Sequence, residues 1–591
     1  MSVIGEFNRW NAGVTPMRRL AEGDVWERFV PHVTPGTLYK YQIVGPPLEP
    51  PFDKADPMAF ATERPPGTAS LVWDLSRYHW RDGAWMAQRH RRNRLDAPIS
   101  VYEVHLGSWM RQPDGSWLTY AELADRLADY AMTLGFTHVE LLPVAEHPFD
   151  GSWGYQALSY FAPTSRYGTP DQFMAFIDTL HRAGVGVLLD WVPGHFPNDR
   201  HGLAEFDGTY LYEHRDSRQR HHPDWDTLVF DHGRTQVAEF LVSSALFWLD
   251  RYHVDGFRVD AVASMLYLDY SRSPGDWTPN PDGGNENLEA VRFLRQLTDA
   301  VEARFPDTLI IAEESTAWPK VSHSTQSGGL GFDLKWNMGW MHDMLDYMAQ
   351  APAARPSMHA RLTTSLGYAH AERFILPLSH DEVVHGKGAL RQRMPGSRTE
   401  QFANLRLLFG WMYGHPGKKL LFMGNEFGQA AEWHHDASLD WTCPESVLPA
   451  GLRRWVADLN RVYRETPALH ANEFDTGGFV WTLRGDTASG PLSFVRRGGP
   501  RDDTVLFVCN FTNCLFVDHV VRVPVDVAAD GFWRERLNSD SAHYGGTNLG
   551  NLGGQRADHG AGGTATLRLV VAPLSVLVFE PGSAHPDAEC G

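Results

Sequence analysis

Four short acidic segments between residues 190 and 382 constrain the fold of this chain more than any other feature. They are Asp190-Trp191-Val192-Pro193-Gly194-His195-Phe196, Gly256-Phe257-Arg258-Val259-Asp260-Ala261, Ala312-Glu313-Glu314-Ser315 and Leu378-Ser379-His380-Asp381-Glu382. In three of them an apolar run that reads as a buried strand stops at an Asp or Glu. At the carboxyl ends of parallel barrel strands, such acids converge on one pocket. Two carboxyl groups facing each other across a pocket are the equipment for cleaving a glycosidic bond.

The surrounding pattern supplies the strands. Ile99 to His105, Thr137 to Val144, Val185 to Leu189, Gly256 to Val259, Leu309 to Ala312, Gly331 to Leu334, Arg373 to Leu378 and Lys419 to Met423 read as eight strands. Helical stretches lie between them, such as Tyr120 to Leu134 with Leu123, Leu127 and Tyr130 on one face, and Pro170 to Ala183. Eight strands alternating with helices is the count of a closed (β/α)8 barrel. An open doubly wound sheet fits less well, because no glycine-rich phosphate loop follows the first strand. Before the barrel, Ser2 to Gly5 and Tyr39 to Val44 read as short strands between turns, and after it Ser493 to Val495, Thr504 to Val508 and Ser575 to Phe579 do the same. The expected organisation is multidomain, α/β plus all-β. It comprises an immunoglobulin-like β-sandwich over residues 1–95, a catalytic TIM barrel over 96–470, a C-terminal β-sandwich over 471–582 and a loose tail over 583–591. The polar, basic run Gln88 to Arg94 reads as a linker.

Composition narrows the function classes. At 591 residues and 43% hydrophobic, the chain can build sizeable cores. A net charge of −19 disfavours nucleic acid and anionic membranes as partners, whereas a neutral polysaccharide needs no counter-charge. No apolar stretch reaches the ~18 residues of a membrane span, and Met1 to Trp10 lack a signal-peptide core, so a cytoplasmic protein is expected. Cys443, Cys509, Cys514 and Cys590 are not clustered like metal ligands, and fit a reducing compartment better than a disulfide framework.

Cleaving a glycosidic bond with retention takes one acid to protonate the leaving oxygen and one carboxylate to attack the anomeric carbon, ~5–5.5 Å apart. Asp260 has the surroundings of the nucleophile: Arg258, two residues earlier on a strand, points to the same face and can keep it ionised. Glu313 ends an apolar strand, where desolvation would keep it protonated for use as the general acid. Asp381 can accept hydrogen bonds from sugar hydroxyls that strengthen in the transition state. Competing readings exist for each residue. Asp190, Asp260 or Asp381 alone could cap a following helix, His195 and His380 could be structural, and Trp153 and Tyr155 could be packing aromatics. A metal site from His380, Asp381, Glu382 and His385 is disfavoured, because consecutive residues at a strand end point in different directions. The segment His221-His222-Pro223-Asp224-Trp225 resembles no site.

All four segments, in order, resemble the signature regions of the α-amylase superfamily, and their wording is similar to that of the bacterial glycogen branching enzymes. So is Gly151-Ser152-Trp153-Gly154-Tyr155-Gln156, and the likeness extends over nearly the whole chain. The resemblance implies a nucleophile at Asp260, an acid/base at Glu313 rather than its neighbour Glu314, and a transition-state stabiliser at Asp381. It implies substrate contacts from Tyr155, Asp190, His195, Arg258 and His380, an α-1,4-glucan such as amylose or glycogen as substrate, and no metal or cofactor; a monomer is expected. The implied reaction cuts an α-1,4 bond and rejoins the chain through an α-1,6 bond. Related α-glucan hydrolases, such as debranching enzymes or maltooligosyltrehalose trehalohydrolase, share this barrel; a non-catalytic glucan-binding relative is disfavoured by the three acids. Pro193-Gly194, where many of the hydrolases carry an Asn before the histidine, and the Val383-Val384-His385-Gly386-Lys387 run favour transfer. In this family a strand usually precedes the segment matching Ser2 to Gly5, so either the start is misplaced or the sandwich lacks a strand and leaves an open edge there.

Overall fold

A computed structural model describes residues 1–21, 25–45, 50–483, 490–499, 504–523, 531–560 and 564–582. The expected tail and Cys590 lie outside them. Eight parallel strands form a closed barrel in simple sequence order: β1 (Ser100–Val104), β2 (His138–Leu141), β3 (Gly186–Trp191), β4 (Gly256–Val259), β5 (Leu309–Ala312), β6 (Leu334–Trp336), β7 (Phe374–Leu378) and β8 (Lys418–Phe422). The chain groups into two compact units, one of residues 1–90, 105–129 and 140–333, the other of 91–104, 130–139 and 334–591.

The first unit begins with a five-stranded antiparallel sheet built from Ser2–Gly5, Leu38–Ile43, Phe52–Lys54, Ala61–Thr62 and Ser70–Leu71, beside a two-stranded ribbon, Arg18–Arg19 with Trp26–Glu27. The outer edge of Ser2–Gly5 is not open as expected. Val3 N donates to Thr15 O at 3.2 Å and Met17 N to Met1 O at 3.0 Å. Buried Asn8 holds that return segment by donating to Val3 O and to Thr15 Oγ1. Lys54 Nζ donates to the carbonyls of Arg200 and Ala204, both at 2.6 Å, tying the sheet to the long loop after β3. The stretch at 88–94, expected as a linker, is mostly exposed but is anchored at Arg89. It contains a short helix, Arg89–Arg92, whose Arg89 is buried and paired through two nitrogens with Asp307, at 2.9 and 2.7 Å.

The strands β3, β4 and β5 are buried throughout, which is why they read as continuous apolar runs. Their register pairs Asp190 with Arg258, and Val259 with Ala312. The helix that leads into β3, Pro170–Arg182, shows how strongly local sequence specifies these elements. Thr169 caps it with a reciprocal box to Gln172, Pro170 stands in its first turn, and Phe173, Phe176, Ile177 and Leu180 are buried along one face. Gly256 opens β4 at φ +153°, and a Cβ there would lie 1.9 Å from the Leu309 carbonyl oxygen, so only glycine permits the β4–β5 approach.

In the second unit β6 starts at Leu334, later than the expected strand from Gly331. The carboxyl of Asp333 accepts from Ile310 N at 2.8 Å while its own N–H donates to Ile310 O, so its side chain takes up the Ile310 N–H just before the β6 strand begins. The C-terminal region is all-β. A six-stranded sheet, Phe479–Leu483, Leu492–Arg497, Thr504–Asn510, Ser575–Gly582, Phe532–Asn538 and Gly554–Arg556 in spatial order, accompanies a three-stranded sheet of Phe516–Val523, Thr564–Val571 and Asp558–Gly560. Leu506, Val508, Trp533, Leu577 and Phe579 of the first pack with Val521, Leu567, Leu569 and Val571 of the second. Each such side chain contributes ~1.5–3 kcal/mol through burial, enough for the two sheets to hold one another. Cys443, Cys509 and Cys514 are free thiols.

Candidate active site

In the first unit, β3, β4 and β5 set three acids around one guanidinium. Asp190 lies on β3, Asp260 immediately follows β4 and Glu313 immediately follows β5. Since Val259 pairs with Ala312, Asp260 and Glu313 occupy matched positions on neighbouring strands. Neighbouring strands run ~4.8 Å apart, which suits the ~5–5.5 Å separation of a retaining pair. Fully buried Arg258 reaches all three: its Nη1 donates to Asp190 at 2.6 Å and to Asp260 Oδ1 at 2.9 Å, and its Nη2 lies 2.8 Å from Glu313 Oε2. Burial works against its charge, but Asp190, Glu313, Tyr155 and Asp260 outweigh that and raise its pKa.

Asp260 differs in sign from the expectation. Burial raises its carboxyl well above the usual carboxylate range, Arg258 pulls it back, and the charges of Glu313 and Asp190 push it up further. Arg258 therefore opposes the protonation of Asp260 that burial favours. The residue after Asp260 is a second special position. Ala261 sits at φ +50°, ψ +40°, unusual for a residue with a Cβ, and this turns its N–H onto Glu313 Oε2 at 2.7 Å. Glu313 is partly exposed, whereas Glu314 is fully buried and folds back on its own loop, accepting from Thr316 N at 2.9 Å.

Tyr155 and His195 complete this group. Gly154, at φ +97° and with no room for a Cβ beside the Pro143 carbonyl, turns the Trp153–Tyr155 loop. The Tyr155 hydroxyl donates to Asp190 Oδ2, and its ring lies 5.7 Å from the Arg258 guanidinium. His195 stands in a short antiparallel strand and its Nε2 is 3.9 Å from Asp260 Oδ2. Burial, helped by nearby His222, pushes its pKa down to about 3, so it is a neutral imidazole at ordinary pH. Tyr160 fixes its backbone by donating to the carbonyls of Val192 and His195, each at 3.0 Å. Gly194 packs closely: a Cβ there would meet Met265 Cγ at 3.3 Å.

In the second unit, His380 and Asp381 lie in a short 3-10 turn after β7. Buried Glu103, at the end strand residues of β1, accepts from His380 N at 3.0 Å and from its Nδ1 at 2.5 Å. That bond leaves Nε2 facing Asp381 Oδ1 at 3.3 Å. Glu382 turns away to Lys387 at 2.9 Å and Arg393 at 3.0 Å, and Lys387 Nζ also donates to the Asp381 carbonyl at 2.8 Å. These pairs occupy Glu382 with cations, which does not suit a metal-ligand set of residues 380–385.

Two groups escaped the sequence reading. Glu103 was hidden inside an apolar strand, and no local pattern marks it. The dismissed segment around His222 and Trp225 lies against the site: the Trp225 ring stacks on His222 at 3.7 Å and approaches His195 at 4.8 Å. The aromatic spacing in that segment was the only available signal. Two other clusters could hold a cation among the described residues, His434–His435–Asp436 and His214–Asp231–Glu289. In the latter, Arg234 already pairs with Asp231 at 3.0 Å.

Comparison with known proteins places this arrangement in a family. Residues 119–227 match the alpha amylase catalytic domain, residues 1–59 match carbohydrate-binding module 48 (isoamylase N-terminal domain), and residues 481–582 match the alpha amylase C-terminal all-beta domain. Among solved structures, a pullulanase from Bacillus acidopullulyticus superposes with TM-score 0.69 at 15% identity, over 96% of this chain and 70% of that one. An alpha-amylase from Geobacillus thermoleovorans superposes with TM-score 0.60 at 14% identity, over 82% and 99%. These two likenesses establish the fold. The chain is 55% identical to the 1,4-alpha-glucan branching enzyme GlgB of Rubrobacter xylanophilus, over 98% of this chain and 80% of that protein. It is 54% identical to the proteins of the same name from Albidiferax ferrireducens, over 98% and 92%, and Aquifex aeolicus, over 98% and 91%. With relatives more than half identical over nearly its full length, the chain belongs to the bacterial 1,4-α-glucan branching enzyme family of the α-amylase superfamily.

Proposed function

We propose that this protein is a 1,4-α-glucan branching enzyme that works by double displacement, with Asp260, Glu313 and Asp381 as its catalytic acids. The observation that carries this reading is the matched pair at the ends of β4 and β5, Asp260 and Glu313, held by one guanidinium. The Asp260 carboxylate attacks the anomeric carbon of an α-1,4-linked glucose while Glu313 gives its proton to the departing oxygen. The glycosidic C–O bond breaks and a glycosyl ester of Asp260 forms. The 6-hydroxyl of a second glucan chain then attacks the same carbon, Glu313 takes its proton, and the ester bond breaks to return the carboxylate. An α-1,6 branch results, with no net loss of glycosidic bonds.

Asp381 accepts hydrogen bonds from ring hydroxyls that tighten as positive charge develops on the sugar. Arg258 disperses the charge of the acid cluster, Asp190 and Tyr155 orient it, His195 donates to a sugar oxygen, and His380 contacts the same sugar beside Asp381. The substrate is an α-1,4-glucan such as amylose or glycogen, and the product belongs to glycogen synthesis. The proposed domain limits remain near residues 95 and 470. A monomer acting in the cytoplasm is in keeping with the net charge of −19 and with the lack, among the described residues, of a helix long and apolar enough to cross a membrane.

Incubation with amylose as sole substrate tests this reading. Proton NMR is expected to show α-1,6 anomeric signals exceeding new reducing ends by at least about tenfold, a preference of ~1.4 kcal/mol for sugar over water. Asp260→Asn should abolish both signals. Reducing ends that rise without α-1,6 signal would show a hydrolase built on the same acids.

A further inference from the structure

The acids account for only part of the surface at this site. An aromatic run begins beside Asp260 and leads away from it: His195, then Trp225 at 4.8 Å, His222 stacked on Trp225 at 3.7 Å with rings 8° from parallel, and Tyr270 at 6.0 Å from His222. Trp225 and Tyr270 are half-buried, and buried His222 is stacked on one face of Trp225, so the rings are held in place while part of Trp225 and of Tyr270 stays accessible. Two separate loops supply this run and are fastened together. His221 and His222 pair in a hairpin with Leu228 and Thr227, and Arg272 Nη2 of the loop after β4 donates to the His221 carbonyl at 2.6 Å. Such fixed, half-exposed rings suit the apolar faces of a glucose unit, at low cost in side-chain ordering.

We propose that Trp225, His222 and Tyr270 form the sugar subsite on the leaving-group and acceptor side of the cleaved bond. The inference rests on the branching reading and deepens it. The side follows from the acids. Glu313 delivers its proton to the oxygen joining the two sugars and later collects one from the acceptor hydroxyl, so a ring near Glu313 faces the sugar beyond that oxygen. Tyr270 N donates to the Tyr267 carbonyl at 3.3 Å and the Tyr267 hydroxyl lies 3.3 Å from Thr316 Oγ1, so the loop that carries Tyr270 lies against the segment following Glu313. A glucose unit seated on this platform excludes water from the glycosyl ester while its chain waits for attack, which favours transfer over hydrolysis. The segment 221–225 thus becomes a specificity-determining element.

Two donors separate the half-reactions. An α-maltoheptaosyl fluoride forms the glycosyl-enzyme while releasing only fluoride, with no leaving sugar, whereas amylose needs the subsite for its leaving chain. For Trp225→Ala and Tyr270→Ala, kcat/KM on amylose is expected to fall at least tenfold more than on the fluoride. The ratio of α-1,6 linkages to new reducing ends should fall at least fivefold, and Trp225→Phe should restore most of the loss. Melting temperature and the fluoride reaction itself report whether each variant folds, and Tyr270→Phe, which keeps the ring, gives a second reading if an alanine variant does not. Equal losses on both donors would move the platform to the donor side and overturn the proposal, as would variants that match the unaltered protein. If the unaltered protein forms no α-1,6 linkages, the branching reading fails. The comparison of amylose with the fluoride still decides the subsite.

Discussion

Arg258 is the residue on which the acid cluster depends. Its guanidinium is the shared counter-charge of Asp190, Asp260 and Glu313; it is buried with Asp190 and Asp260, while Glu313 is partly exposed. Removing one partner of a buried ion pair costs ~3–5 kcal/mol, because the remaining charge is left uncompensated. Arg258→Ala is therefore expected to lower the unfolding free energy by about that amount in urea titration and to eliminate α-1,6 formation. Adding Asp190→Asn should recover part of the stability but none of the activity. A cost below about 1 kcal/mol for Arg258→Ala would mean that the acids take up protons instead. That Arg258 and Asp260 share a face was readable from strand period alone. The raised carboxyl of Asp260 was not, since it reflects how many apolar neighbours exclude water, and those come from remote parts of the chain.

At the scale of elements, the turn after β7 shows a motif acting through geometry. Lys387 reaches back to the Asp381 carbonyl and the Glu382 carboxylate, closing the segment on itself. Lys387 is a positioning residue, because it acts through the backbone that carries Asp381. Lys387→Met is expected to lower kcat on amylose roughly tenfold, ~1.4 kcal/mol of transition-state stabilisation, with KM changed less than about threefold. Lys387→Arg should recover part of the loss. A variant with altered KM and unaltered kcat would place Lys387 in glucan binding instead. The run 383–387 was legible in the sequence as a family form. Glu103, the partner of His380, was not, because a buried acid inside β1 makes sense only once β8, and beyond it β7, are in place.

Over the whole molecule, buried neutral histidines set the response to acid. Burial pushes His147, His222 and His232 down to about 4, and His195 and His415 to about 3. Once unfolded, each returns to 6.5 and takes a proton that the native state refuses. Their contribution is therefore intact above pH 6.5 and is lost as pH falls toward about 4, at up to about 1.4 kcal/mol per pH unit for each group. His181 has the opposite sign. Burial would lower its pKa, but Asp255 and Asp82 raise it, so its stabilisation is present below 6.5 and is lost as pH rises through the folded value. Urea unfolding at a series of pH values should show stability falling steeply between pH 6.5 and 4, with a slope lower by about one proton in His232→Gln. A flat profile across that window would contradict the burial of these imidazoles.

Strand count, sequential barrel order, the flanking β regions and the positions of Asp190, Asp260, Glu313 and Asp381 were all present in the sequence. Buried parallel strands must be continuous apolar runs, and an acid that ends such a run stands out against them. The family followed from the same residues. Tertiary structure alone decided the rest. It anchored the exposed basic run at 88–94 by bringing Asp307 to Arg89, and it started β6 only after Asp333, whose carboxyl takes up the Ile310 N–H. It covered the edge of Ser2–Gly5 with the segment near Thr15. It brought His222 and Trp225 to His195, where their sequence neighbours gave no reason to expect a site. In each case the deciding contact joins residues far enough apart that no local pattern encodes it. Periodicity reports which face a residue occupies, while only the closed fold reports what that face meets.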